Sequence, residues 1–143
     1  MYETEHGKQG SARGERGAEA APPPESVNVA DKLARIDSFW NPHIVGDVND
    51  MHIKVVKMRG SFDWHHHDDE DELFFVVRGT MLMKLRTGDV SVGEGEFIVV
   101  PSRVEHCPVA SSEECHVMLI ERKTTLNTGT VETERTRHEL KRL

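Results

Sequence analysis

The run Trp64-His65-His66-His67-Asp68-Asp69-Glu70-Asp71-Glu72 sets three consecutive histidines before five consecutive acidic residues. Imidazole nitrogen and carboxylate oxygen are the usual protein donors to a divalent transition metal. Neighbouring residues on an extended chain point to opposite faces, so these eight side chains cannot all meet at one point. His65 and His67 share a face and can chelate one ion, while His66 points the other way. Asp68, Asp69, Glu70 and Asp71 form a solvated corner, after which Glu72 can return beside the two imidazoles on the next strand. Further on, the run Phe97 to Val100 ends at Pro101, and His106 follows after a short loop as a fourth candidate. Three nitrogens and one oxygen suit Mn, Fe, Co, Ni, Cu or Zn, whereas Ca and Mg prefer all-oxygen surroundings.

Other reactive side chains carry less. Cys107 neighbours His106 and therefore faces away from it, and Cys107 and Cys115 form neither a metal-type CxxC spacing nor a disulfide framework. His52 and His116 read as packed or surface histidines. Met51, Met58, Met81, Met83 and Met118 read as core filling. Trp64, opposite in sense to His65, is a candidate for a dimer or inter-sheet contact. Arg59, Arg78 and Arg103 are candidate anchors for an anionic substrate.

The elements that must position the four donors are short strands. From His43 to Glu121, β-rich runs such as MHIKVVKM, ELFFVVR and CHVMLIE alternate with Gly, Asp and Asn turns, about nine runs in all. In Thr80 to Arg86, Met81, Met83 and Leu85 fall on one face and Lys84 and Arg86 on the other. Arg86-Thr87-Gly88-Asp89 then reads as a hairpin turn. Many short strands with no long helix between them predict an all-β sandwich or barrel. Residues 1–26 are rich in Gly, Ala, Glu and Pro and predict a disordered tail. Residues 27–42 predict a short helix and a lead-in strand, with Ser26 or Asn28 as cap and Val29, Leu33 and Ile36 on one helical face. Residues 122–143 are polar and predict at most a short, charged surface helix.

At 143 residues the chain suffices for one domain with its own core. The formal net charge of −7 argues against a nucleic-acid partner, which would need a basic footprint. No apolar run approaches the ~20 residues of a membrane span, and the N-terminal residues lack a signal-peptide pattern, so no membrane partner and a cytoplasmic location are expected.

The stretch Gly60 to Gly79 resembles the first motif of the cupins, written loosely G(x)5HxH(x)3-4E(x)6G, with one residue fewer between Gly60 and His65. Gly95 to His106 is similar to the second motif, G(x)5PxG(x)2H(x)3N. Gly95, Pro101 and His106 match it, whereas Arg103 stands for the second glycine and Ala110 for the asparagine. The resemblance covers roughly residues 43–121. It implies a cupin-type double-stranded β-helix, a jelly-roll barrel, with short peripheral helices at its ends. It also implies one divalent transition metal per chain held by His65, His67, Glu72 and His106, and commonly a homodimer. Its members include dioxygenases, isomerases, decarboxylases, lyases and sugar-binding domains. The expected function is therefore a metal-dependent enzyme acting on a small organic molecule, dioxygenase-like ahead of isomerase or lyase. The alternative is a non-catalytic cupin that binds a sugar or metabolite.

Overall fold

A computed structural model describes residues 21–143. The predicted tail therefore lies largely outside the described residues; residues 21–28 are exposed and form neither helix nor strand. Helix α1 (Val29–Ala34) starts where Asn28 Oδ1 accepts the Asp31 N–H at 3.0 Å, an N-cap that satisfies one of the helix's free donors. Leu33 and Ile36 are buried. The predicted lead-in strand does not form. Trp40 takes a left-handed backbone (φ 56°) and donates its N–H to Lys57 O, which breaks any extended run before β1.

Eight strands follow: β1 (His43–Val48), β2 (Met51–Met58), β3 (Glu72–Arg78), β4 (Met81–Leu85), β5 (Val90–Val92), β6 (Phe97–Val100), β7 (His106–Ala110) and β8 (Cys115–Arg122). They form a five-stranded sheet in the order β1-β2-β8-β3-β6 and a three-stranded sheet in the order β5-β4-β7. Every pairing is antiparallel. The expected ninth strand, Ser61 to His67, is not a regular one; only isolated bridges, Ser61 with Val109 and His65 with His106, tie it to β7.

Period-2 alternation decides what lies inside. Val56 and Met58 of β2, Phe74 and Val76 of β3, and Val117 and Leu119 of β8 meet Met81 and Met83 of β4 in one apolar core. Met58, Met81 and Met83 fill the barrel as expected. Met118 faces outward and packs with Leu33, Ile36 and Val55 beneath α1, and Met51 is only half-buried.

Residues 122–143 contain no helix, contrary to expectation. Their apolar content is too low to bury a helical face, and their backbone is instead stitched to the barrel. Thr130 N–H reaches His66 O, Ile44 N–H reaches Lys141 O, and Leu143 N–H reaches Ile44 O. Arg142 grips Asp47 through both guanidinium nitrogens at 2.8 and 3.2 Å. Gly129 (φ +60°) lets this strap lie directly on the histidine run, because a Cβ there would collide with the His66 carbonyl.

Gly79 turns β3 into β4 at φ +84°, and a Cβ at this position would lie 2.4 Å from Glu114 O and 2.6 Å from Ser112 Oγ. Left-handed strain and a backbone collision therefore add. Gly79→Ala should lower stability by more than about 2 kcal/mol, read as a fall in the urea midpoint. An unchanged midpoint would mean that this turn can open without loss.

Candidate metal centre

Three separate segments deliver the four predicted donors to one place. The run before β3 brings His65 and His67, β3 opens with Glu72, and β7 opens with His106. All four are buried, and one donor atom from each lies within 4.8 Å of the others. His65 and His67 alternate inward as expected, although the run holding them is paired only at His65. His66 turns outward and meets Asp68 at 3.1 Å, well away from the cluster. The acidic run makes the corner. Asp68, Asp69 and Asp71 are exposed; Asp71 accepts the Ser102 N–H at 2.8 Å, and Glu70 accepts the Thr124 hydroxyl at 3.0 Å.

The outer nitrogens of two rings are committed to the backbone. His65 Nδ1 lies 2.8 Å from Asp63 O and His106 Nδ1 lies 2.9 Å from Val104 O. A carbonyl only accepts, so Nδ1 carries the proton in each ring, and Nε2 is the nitrogen left to face inward as a metal donor. This is the usual way a protein orients a metal-binding histidine.

The inner contacts fit a shared cation. Glu72 Oε1 sits 3.0 Å from His106 Nε2 and 2.7 Å from His67 Nε2. The second distance is short enough for a hydrogen bond, yet His67 Nε2 has no hydrogen-bond partner and is fully buried. Distance and direction disagree, and direction decides: the two atoms do not point at each other. Donors each about 2.1 Å from one ion, at right angles, stand about 3 Å apart. The residues therefore fit a metal ion on chemistry, spacing and the orphaned nitrogen.

Electrostatics sharpen the picture. Burial, then the neighbouring His106, pushes His65 down to about 4, so its ring is neutral near pH 7. Burial opposes charge on Glu72 as well, but the close approach of Glu121, His106 and His67 outweighs it and holds this carboxyl well below the usual range. Glu121 is the opposite case: burial, then the neighbouring Glu72 charge, raises it well above that range.

Sequence reasoning missed Glu121 and Lys54. Glu121 stands directly across from Glu72 in the β3–β8 register, and its Oε1 accepts from Lys54 Nζ at 2.7 Å, with both residues about 2% exposed. The available signal was the inward phase of CHVMLIE, which carries Glu121 to the same face as Val117 and Leu119. Of MHIKVVKM, the same phase puts Lys54 with Val56 and Met58. Arg59, Arg78 and Arg103 do not line the cavity beside the site. Trp64 is covered by the Arg86 guanidinium, 3.7 Å above its ring. Cys107 and Cys115 are both free and buried.

A cavity of about 40 Å³ adjoins His65, Glu72 and Glu121, walled by Trp40, Phe62, Phe74 and Leu119.

With this geometry in view, the comparisons are direct. A cupin-2 domain protein of known structure from Shewanella frigidimarina is 39% identical, with a TM-score of 0.66, and the match covers 68% of this chain and 94% of that one. The chain belongs to the cupin superfamily. The sequence profile of the cupin domain family matches residues 52–121. A Neisseria meningitidis protein of known structure is 34% identical with a TM-score of 0.63, covering 69% of this cupin and all of that chain. A 3-hydroxyanthranilate 3,4-dioxygenase from Danio rerio is 29% identical over 92 residues, 57% of this chain and 31% of that enzyme. Among the curated relatives it matches, this cupin spans only about a third to just over half of their length. The jelly-roll fold expected from the motifs is thus the one observed. The motif's second glycine position, Arg103 here, keeps a left-handed backbone (φ 69°) and donates its N–H to His67 O, so the loop geometry survives the substitution.

Neutral, buried His65 makes the metal-free cupin acid-sensitive. Its folded pKa of about 4 lies below the ordinary 6.5, so the unfolded chain binds more protons between those values and stability falls as pH drops through that window. The loss from this residue should be roughly 2.4 kcal/mol, measured by urea unfolding in chelator at pH 7 and pH 4.5. His65→Gln should flatten that slope; an equally steep slope in the variant would assign it to another group.

Proposed function

We propose that this cupin is a metal-dependent enzyme acting on a small organic molecule, with His65, His67, Glu72 and His106 holding one divalent transition metal. The observation that carries this reading is the buried His3Glu cluster whose donor atoms converge within 4.8 Å, two of its rings held by backbone carbonyls at Nδ1. When bound, such an ion supplies Lewis acidity or redox chemistry at positions that four protein donors leave open. The chain's own part is preorganisation. Asp63 O and Val104 O fix two rings, Glu72 offsets positive charge, and the aromatic wall of Trp40, Phe62 and Phe74 keeps the space beside the donors small and apolar.

Within that class we favour oxygenase chemistry. Support comes from the partial similarity to 3-hydroxyanthranilate 3,4-dioxygenases from Danio rerio and Ruegeria pomeroyi, 29% and 33% identical over the matched stretches. The cavity's size points the same way. About 40 Å³ takes a diatomic gas or a water beside the donors but not a whole aromatic ring. A substrate would present one or two donor atoms inward and keep its body outside this space. Two free thiols, Cys115 pushed up to about 11 by burial, suit a reducing compartment such as the cytoplasm.

A homodimer is part of this proposal. β6 is an edge strand, and Phe97 and Val99 on it are 62% and 46% exposed, an apolar pair that a second copy would cover. Phe97→Glu with Val99→Lys should convert a dimer to a species of about 16 kDa in light scattering. A wild-type mass already at 16 kDa would remove the dimer.

Metal content separates the donors from their neighbours. His65→Ala, His67→Ala, Glu72→Gln and His106→Ala should each lose most of the metal, a drop in affinity of about 10-fold or more. His66→Ala and Asp69→Asn should keep near-stoichiometric metal. A His66→Ala protein without metal beside a loaded His65→Ala protein would invert the inward phase and defeat the assignment. Oxygen uptake by iron-loaded protein with a panel of hydroxylated aromatic acids and diketones tests the chemistry. Flat traces throughout, with a compound bound and recovered unchanged, would favour a binding cupin over an oxygenase.

A further inference from the structure

One buried ion pair lies next to the metal-type cluster without belonging to it. Lys54, Glu121 and Glu72 stand on the three adjacent strands β2, β8 and β3, all on the inward face, and the β3–β8 register puts Glu121 directly across from Glu72. Lys54 Nζ donates to Glu121 Oε1 at 2.7 Å, and both side chains are 2% exposed. Glu121 Oε2 is buried and has no donor among the described residues. Only Glu72 in this row also faces His67 and His106. A lysine and a carboxyl taken out of water lose their hydration unless something is gained by placing them there, and an apolar pair of the same volume would have served the core equally well.

We propose that Glu121, anchored by Lys54, is a positioning residue for the Glu72 carboxylate. It holds that carboxylate in the rotamer that aims Oε1 at the centre, and so sets the affinity and the ligand field of the metal ion. Lys54 fixes one oxygen of Glu121, and the other stays buried without a partner on a side chain that stands across from Glu72. Cross-strand neighbours on one face have Cβ atoms about 5 Å apart, which is the reach of a carboxyl–carboxyl hydrogen bond. Substituting such an outer partner typically weakens metal binding about 10- to 100-fold without removing a donor. The inference rests on the reading that Glu72 binds the ion.

The experiment is a Co²⁺ titration of the metal-free protein, followed by visible absorption, with folding checked by circular dichroism. The proteins are wild type, Glu121→Gln, Glu121→Leu and the double variant Lys54→Met/Glu121→Leu. Glu121→Gln keeps the length and the acceptor for Lys54, adds an N–H that can donate to Glu72, and should bind within a few-fold of wild type. Glu121→Leu should bind at least about 10-fold more weakly, with displaced d–d bands. It leaves Lys54 without a partner and is prone to misfold, which is why the double variant is included. Replacing the whole pair by apolar side chains keeps the core filled and leaves no lone charge. That protein should be folded, and it should still show weakened binding and displaced bands. A double variant with wild-type affinity and wild-type spectrum would overturn the proposal, because the pair would then only fill the core. Wild-type protein that binds no Co²⁺ would instead refute the assignment of Glu72 itself.

Discussion

A charged carboxylate inside an apolar barrel has to be neutralised where it stands. Glu72 is 4% exposed, at the first position of β3, with Phe74 and Val76 following on the same face. Removing such a group from water costs several kcal/mol unless cations and hydrogen bonds replace the lost hydration. Around it the fold converges three imidazoles and a second carboxyl that is itself tied to Lys54. Much of the architecture reads as a means of meeting that one requirement.

The means are ordinary β-sheet geometry. Alternation on β3 sends Glu72 inward; alternation on β8 sends Glu121 inward opposite it; alternation on β2 adds Lys54 beside Val56 and Met58. The three-stranded sheet brings His106 at the start of β7, and the bridge from His65 to His106 locks the histidine run against that strand. The strap of residues 122–143 then covers the outer side of this run, with Thr133 bonded to Asp63, whose carbonyl orients the His65 ring. The site is thus supported from three directions, and its donors come from segments far apart in sequence.

Fold and site carry different weight for function. Cupin membership accounts for the barrel, and fold alone does not choose a reaction. The chemistry argued for rests on the donor set, the two rings fixed by backbone carbonyls and the narrow cavity. The apolar walls are contributed by Trp40, Phe62, Phe74 and Leu119, residues that any barrel core would bury. The distinctive part of this chain is the polar row that crosses that core.

Period-2 patterning and motif spacing were sufficient to read the β-barrel from sequence, the inward phase of His65 and His67, the outward phase of His66, and the solvated acidic corner. Those features are local: they follow from backbone pleat and from the cost of burying spare carboxylates. Asn28 as helix cap and Gly79 as turn are local in the same sense. The register of β8 against β2 and β3 was not legible, because it pairs residues about 40 or more apart. Hence the Glu72–Glu121 opposition and the Lys54 contact emerged only in three dimensions. The same holds for the C-terminal strap, where charge and low apolar content suggested a weak helix. Its backbone donors and acceptors found partners on β1 and on the histidine run instead. Local chemistry named the four donors; long-range pairing decided what surrounds them.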